Sequence, residues 1–410
     1  MGVVVRVEPD ARAKVEVLGR AAQYDVCGEA CGTQANRVRD NLGRWIYPAV
    51  MPDGSRVKLL KVLLTNHCEK NCTYCANRIG RDVRRSAFKP DELARAFDQM
   101  VQRKLVEGLF LSSGICGSAQ RTMDRMLATV EIVRQRYNFR GYVHLKLLPG
   151  ITQAQVERAG QIAQRVSINL EAPNGERLAD IAPFKERDEV LNPMLWAGEL
   201  LRADRGGVEH PDVLGQPGEI SHRRADPRAR DRQWAPSGLT TQFVVGAALE
   251  SDHEILTTVS HLYAKVGLHR AYYSAFQPVP DTPLEGHAYT PAWREHRLYQ
   301  SDFLFRQYGF GLDELVFDEQ GHLPQEADPK AMWAEAHPEF FPIEVNRAPR
   351  AALLRVPGLG PRSVGRILNE RRLAPLRSLR ALKGTGAVAK RAAPFILLDG
   401  RRPDYQLRLW

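Results

Sequence analysis

Six short apolar runs, each followed by a stretch of helical periodicity, constrain the fold of most of this chain. The runs are KLLKVLLT (58–65), GLFLSS (108–113), YVHLKLL (142–148), VSINLE (166–171), TQFVVGA (241–247) and AYYSAF (271–276). They hold large aliphatic and β-branched residues, as expected of strands buried on both faces in a parallel sheet. Helical periodicity fills 90–106, 120–137, 152–165, 187–203 and 252–267, and a sixth such stretch, 291–308, follows the last run. Six units are too few for a closed eight-unit barrel. The expected fold is therefore α/β, an open, partial (β/α)6 barrel over residues 55–310.

Residues 1–54 read as an N-terminal extension. Residues 204–238 are rich in Gly, Pro and charge with no usable period, which predicts a mobile insertion before the fifth run. Residues 311–344 read as a polar connector, and 345–410 as a separate, small all-α domain. With 43% hydrophobic and 26% charged residues in 410, wholesale disorder, collagen and coiled coil are excluded. No apolar run reaches the roughly 18 residues of a membrane span. The N-terminus is interrupted by charge and does not read as a secretory signal. The expectation is a cytoplasmic protein with no membrane partner.

Net charge is informative once it is located. Residues 345–410 hold 15 Lys and Arg against 3 Asp and Glu, a balance of +12 in a chain of net +10, so the first 344 residues carry −2. A compact basic block beside a near-neutral body marks a nucleic-acid or other polyanion partner.

Five of the six cysteines fall in two tight clusters, which points to metal or redox chemistry rather than a disulfide framework. The sharper cluster is Cys68-Glu-Lys-Asn-Cys72-Thr-Tyr-Cys75, C-x3-C-x2-C, directly after the first run. A structural zinc site needs four ligands, whereas three thiolates suit three irons of a [4Fe–4S] cluster with the fourth left open. A zinc knuckle borrowing Cys116 or Cys31 is the alternative. Cys27 and Cys31 form a C-x3-C pair that is too small for a site alone.

The triplet, with aromatic Tyr74 before its last cysteine, resembles the radical S-adenosylmethionine superfamily. That resemblance implies a [4Fe–4S] cluster on Cys68, Cys72 and Cys75, S-adenosylmethionine on the unique iron, and an electron donor such as flavodoxin or ferredoxin. It also implies a 5′-deoxyadenosyl radical as the reactive species. By position it places Ser112, Ser113 and Gly114 at the methionine amino group, Asn169 and Glu171 at the ribose or methionine carboxylate, and Gly246 behind the adenine. The basic loop 77–85 is a candidate for a carboxylate or phosphate. Lys146 and Tyr273 are candidates to face the barrel interior and touch substrate.

In the basic block, LLRVPGLGPRSVGRILNERR (353–372) reads as helix, Pro-Gly-Leu-Gly turn, helix, which is the helix-hairpin-helix pattern. Gly358 and Gly360 permit a tight turn whose backbone N–H groups can cradle an anion, with Arg362 and Arg366 on the following helix. LRALKGTGAVAKRAAPFI (379–396) reads as a degenerate second copy, with Gly384 and Gly386 in the hairpin and Lys383, Lys390 and Arg391 around it. Two such hairpins resemble the tandem module that grips duplex DNA through its phosphates. Barrel and hairpins together, with FFPIEVNRAPRAALLRVPGLG (340–360), resemble a bacterial family of radical S-adenosylmethionine proteins assigned to DNA modification or repair, over residues 20–400. The implied function is radical chemistry on a DNA base, with duplex DNA docked by the tail. The alternatives are a radical enzyme acting on RNA and a non-catalytic, zinc-containing nucleic-acid-binding protein.

Overall fold

The computed structural model describes residues 9–24, 46–50, 56–204 and 233–404; Cys27, Cys31 and residues 205–232 of the insertion lie outside the described residues. In chain order the elements are α1 (Ala11–Ala21), β1 (Ile46–Val50), β2 (Arg56–Leu63), α2 (Pro90–Gln102), β3 (Gly108–Ser112), α3 (Ala119–Gln135), β4 (Tyr142–Lys146), α4 (Gln153–Ile162) and β5 (Arg165–Ser167). They continue with α5 (Gly175–Ile181), α6 (Arg187–Asp204), β6 (Leu239–Val245), α7 (Asp252–His261), β7 (Arg270–Ala275) and α8 (Ala292–Phe303). None of the described helices is long and apolar enough to cross a membrane. Two compact units result. One contains the described residues up to 204 together with 233–250 and 261–295, the other 251–260 and 296–404.

The first unit is an open, partial barrel. Its seven strands form one sheet in the order β1 to β7, with β2 to β7 all parallel and β1 antiparallel to β2. The six parallel strands are the six apolar runs. β1 and α5 are additions that periodicity did not predict. Helix starts follow side-chain capping: Ser118, Thr152 and Asn174 accept backbone N–H bonds from Arg121, Gln155 and Arg177 at 3.1, 3.3 and 2.9 Å. The end of the long insertion is anchored, because the Trp234 indole donates to the Glu157 carbonyl at 2.9 Å and Ala235 N–H to that of Gly160 at 2.8 Å.

The concave face of the sheet is identified by contacts between strands that are not neighbours. Arg165 on β5 reaches across β6 to the Tyr272 hydroxyl on β7 at 3.3 Å. The same face carries Lys61 (4.4 Å from the Tyr47 ring centre), Phe110 packed edge-on to His144, and Ser167, whose hydroxyl lies 2.8 Å from His144 Nε2. Burial first, then Arg165, Lys146 and Lys61, holds the His144 pKa well below its ordinary value, so the imidazole is neutral. The opposite face is apolar, with Leu60, Val62, Leu109, Leu111, Val143 and Leu145 all buried.

The second unit continues with α9 (Pro329–Ala336), β8 (Ile343–Glu344), α10 (Arg350–Arg355), α11 (Pro361–Glu370), α12 (Leu379–Gly384), α13 (Ala389–Ala392) and β9 (Ile396–Leu397). Its core includes Leu353, Leu354, Val364, Ile367, Leu382 and Ile396. β8 and β9 pair in parallel, joining the start of the hairpin region to its end. Residues 311–344, expected as a connector, fall within this unit. Arg355 makes an ion pair with Glu314 and donates to the carbonyls of Tyr308 and Gly309 at 3.0 and 2.9 Å. Lys330, buried, donates to the Leu359 carbonyl at 2.5 Å and lies 4.7 Å from the Tyr308 ring centre.

Candidate functional site

The cysteine triplet lies on a closed excursion of the chain, residues 64–88, at the C-terminal end of β2. Phe88 N–H donates to Leu64 O at 2.9 Å, and Thr65 and Ala87 form an antiparallel bridge, so the loop leaves and returns at one point. The Asn66 side chain ties the two ends by accepting from Ser86 N–H at 2.7 Å and donating to Arg84 O at 2.9 Å. Arg85 closes the interior of the loop. Its guanidinium donates to the carbonyls of Asn66, Asn77, Arg78 and Arg81. Arg81 donates to the carbonyls of Pro280 and Ala76. Arg85 therefore organises the loop's own backbone, and Arg81 also ties the loop to Pro280.

Within the loop Cys72 is buried, while Cys68 and Cys75 are half-buried. The three thiols are near enough to interact electrostatically. Burial, then the Cys72 neighbour, pushes the Cys75 thiol up to about 12, and burial likewise raises Cys72. Asn77 N–H donates to Cys75 Sγ at 3.4 Å. Among the described residues no three His, Cys, Asp or Glu side chains converge on a single ion. A [4Fe–4S] cluster asks for something else, because each thiolate binds its own iron. Three mutually close thiols on one loop, one of them accepting a backbone N–H, fit that group.

Gly114, from the Ser-Ser-Gly turn after β3, lies directly against this loop. Its N–H donates to Thr65 O at 2.7 Å, and a Cβ there would stand 2.4 Å from the His67 carbonyl oxygen and 3.1 Å from Cys68 Cβ. Ser113 bonds its own turn at Gly114 O at 2.7 Å, and Ser112 is buried at the end of its strand. The turn is thus the floor of the cysteine loop.

Asn169 and Glu171, expected at the rim, are there and both buried, but Glu171 is already engaged. It makes a 3.0 Å ion pair with Lys185 and accepts from Asn169 at 3.4 Å, and buried Tyr74 is near enough to feel its charge. Burial first, then Glu171, raises the Tyr74 pKa well above its ordinary value. Lys185 was missed from the sequence, as were the segment's other holds on the loop. Thr73 N–H donates to Ile181 O at 2.8 Å, and Lys70 to Phe184 O at 2.6 Å. FKE (184–186), just before the helical stretch that begins at 187, carries no periodic or motif signal.

One expectation about the barrel changes. Tyr273 is fully buried on the face opposite Tyr272, stacked on Phe243 at 6.2 Å, so it packs in the core and does not look inward. Tyr272 occupies the inward position, while Lys146 stands on the His144 side of β4. Gly246 gives its N–H to the buried Glu250 carboxylate, and the Thr290 hydroxyl fills the space where a Cβ would stand. That position is a staple between the turn and residue 290, with Arg294 donating to Glu250 O at 2.6 Å. Cys116 is exposed.

In the second unit, Gly358 and Gly386 hold φ of +85° and +84°, the left-handed region that favours glycine. Gly358 and Gly360 bracket the turn from α10 to α11, and Gly386 and Val388 bracket that from α12 to α13. The true counterpart of Gly358 is therefore Gly386. Gly384 ends α12 in open space. The hairpins touch, with Val388 N–H donating to Gly358 O at 2.9 Å and Arg366 to Thr385 O at 3.3 Å. Arg391 is paired with Asp328. Arg362, Lys383 and Lys390 are exposed, with no ion pair among the described residues; Arg362 and Lys390 are the second residues of α11 and α13.

No family model matches this chain, and no curated protein matches it. Among solved structures it is similar to HydG, a maturase of the [FeFe]-hydrogenase, at 13% identity over 74% of this chain and 63% of that one, TM-score 0.44. Methylornithine synthase (PylB) gives 12% identity over 60% and 62%, TM-score 0.42. A radical SAM methyltransferase from Sphaerobacter thermophilus gives 15% identity over 77% and 93%, TM-score 0.38. The chain spans somewhat under two thirds of the length of the first two.

Proposed function

We propose that this chain is a radical S-adenosylmethionine enzyme acting on DNA, with a [4Fe–4S] cluster on Cys68, Cys72 and Cys75. The observation that carries the reading is the closed cysteine loop at the C-terminal end of the first parallel strand, floored by Gly114 and held by Arg85. The C-terminal ends of parallel barrel strands are where active sites of such folds lie. A cluster of this kind, with S-adenosylmethionine bound, supplies a 5′-deoxyadenosyl radical that abstracts hydrogen.

The chain's own residues have separable tasks. Arg85 and Asn66 fix the backbone of the loop that carries the three thiols. Asn77 N–H stabilises negative charge on Cys75. Lys185 and Glu171 form an ion pair beside the loop, with Tyr74 buried near Glu171.

Support for DNA comes from the second unit. Two hairpins with matched left-handed glycines present Arg362 and Lys390 at equivalent, exposed positions within the +12 block. Contacts from such residues go to phosphates and carry no sequence preference. A base in duplex is flipped out to meet chemistry inside a protein. Anaerobically purified protein, incubated with reductant, S-adenosylmethionine and damaged or undamaged duplexes, tests the reading through release of 5′-deoxyadenosine. Colourless protein with stoichiometric zinc would overturn it.

A further inference from the structure

Lys185 is a buried ammonium beside the cysteine loop, with 11% of its side chain exposed, against a Glu171 side chain 7% exposed. Its ammonium is paired with the Glu171 carboxylate at 3.0 Å. The segment that carries it is fixed to the loop on both sides, through Thr73 with Ile181 and Lys70 with Phe184 and Glu189. A carboxylate and an ammonium, both largely removed from solvent, are therefore paired on a segment hydrogen-bonded to the loop at Lys70 and Thr73, on either side of Cys72.

We infer that Lys185 and Glu171 are an opposed pair that sets the electron affinity of the cluster held by Cys68, Cys72 and Cys75, an inference that rests on the cluster reading above. One-electron reduction adds a negative charge to a cluster that three thiolates already make electron-rich. No bond forms or breaks, and the electron comes from a low-potential donor. An ammonium in a low-dielectric site favours the added charge and a carboxylate opposes it. Lys185 is the member that eases reduction, and Glu171 orients it while moderating its effect. Neither residue is a cluster ligand, so both act as positioning and tuning groups.

The test is the midpoint potential of the loaded, full-length protein, followed by electron paramagnetic resonance during titration with dithionite, with iron content measured on every sample. Lys185→Met should lower the potential by ~59 mV, the one-electron equivalent of about a tenfold shift in the reduction equilibrium. Glu171→Gln should raise it. Lys185→Arg, which keeps the charge, should stay with the wild type. Because the two neutralising changes move the potential in opposite directions, a general loosening of the site cannot imitate the pattern. If Lys185→Met fails to take up iron, the rise in Glu171→Gln and the constancy of Lys185→Arg carry the test. Loaded variants with potentials equal to wild type, or shifted the same way, would overturn the inference while leaving the cluster in place. Wild-type protein that takes up no cluster would overturn both.

Discussion

Gly358 and Gly386 occupy the same place in two successive hairpins, and their backbones agree to within a degree in φ. The surroundings differ. A Cβ on Gly358 would meet the Val388 carbonyl oxygen at 2.6 Å, whereas one on Gly386 would meet only the Arg366 guanidinium, at 3.0 Å. Gly358→Val should therefore break the packing of one hairpin on the other. Gly386→Val should mainly strain its own turn, at a cost of about 1–3 kcal/mol. Gly384→Ala should be neutral. Thermal unfolding of the three variants should rank them in that order of damage, and a destabilised Gly384→Ala would show that the hairpins are paired differently.

Arg362 and Lys390 should contribute equally to duplex binding if the hairpins act as a pair. Replacing either by Ala should flatten the dependence of log affinity on log salt by about one unit, because one phosphate fewer is neutralised. Affinity should fall alike for unrelated duplex sequences. Fluorescence anisotropy over a salt series reads both. Removing residues 345–410 outright is a poorer test, because it strips the partners from Glu314, Asp328 and Lys330.

Gly114→Ala should lower iron content. The added methyl group stands against the His67 carbonyl and Cys68 in a floor that has no room for it. The same change in a turn that met only the methionine end of a cofactor would leave iron unchanged and weaken S-adenosylmethionine binding alone. Iron per chain, with calorimetry of S-adenosylmethionine binding, separates the two.

Lys330 gives the second unit a pH dependence. Burial lowers its pKa to about 7 from the ordinary lysine range. In the unfolded chain Lys330 keeps its proton up to about pH 10.5, so between those values the folded state binds fewer protons. Stability should then rise with pH from about 7 towards 10, by up to a few kcal/mol. Lys330→Met should be more stable near neutrality and lose that slope. Chemical denaturation of both proteins across the range checks it, and parallel slopes would show that Lys330 is solvated.

Much of this was legible in the sequence, for identifiable reasons. All six parallel strands were visible because each is short and dense in large aliphatic, β-branched or aromatic residues between helical stretches. The two helix–turn–helix units of the tail were visible because glycines punctuate the helices, Pro357-Gly358 in the first and Gly384-Thr385-Gly386 in the second. β1 was not, since IYPAV holds a proline and pairs only at an edge. Lys185 and Glu171 meet only in three dimensions, and no spacing rule joins them. Tyr273 was a misreading that the sequence itself could have prevented. In RAYYSA, Arg270, Tyr272 and Ser274 form the polar row, while Ala271, Tyr273 and Ala275 form the apolar one. Gly384 was taken into the hairpin because two glycines flank Thr385, and only the backbone angles show which of them turns the chain.

The central claim is that Cys68, Cys72 and Cys75 hold one iron–sulfur cluster. Its most direct test is the iron and sulfide content of anaerobically reconstituted wild type beside Cys72→Ala, the substitution of the most buried thiol. The account predicts about four irons and four sulfides per wild-type chain, as for a [4Fe–4S] cluster, and loss of most of both in the variant. Full iron content in Cys72→Ala, or zinc in place of iron in the wild type, would contradict it.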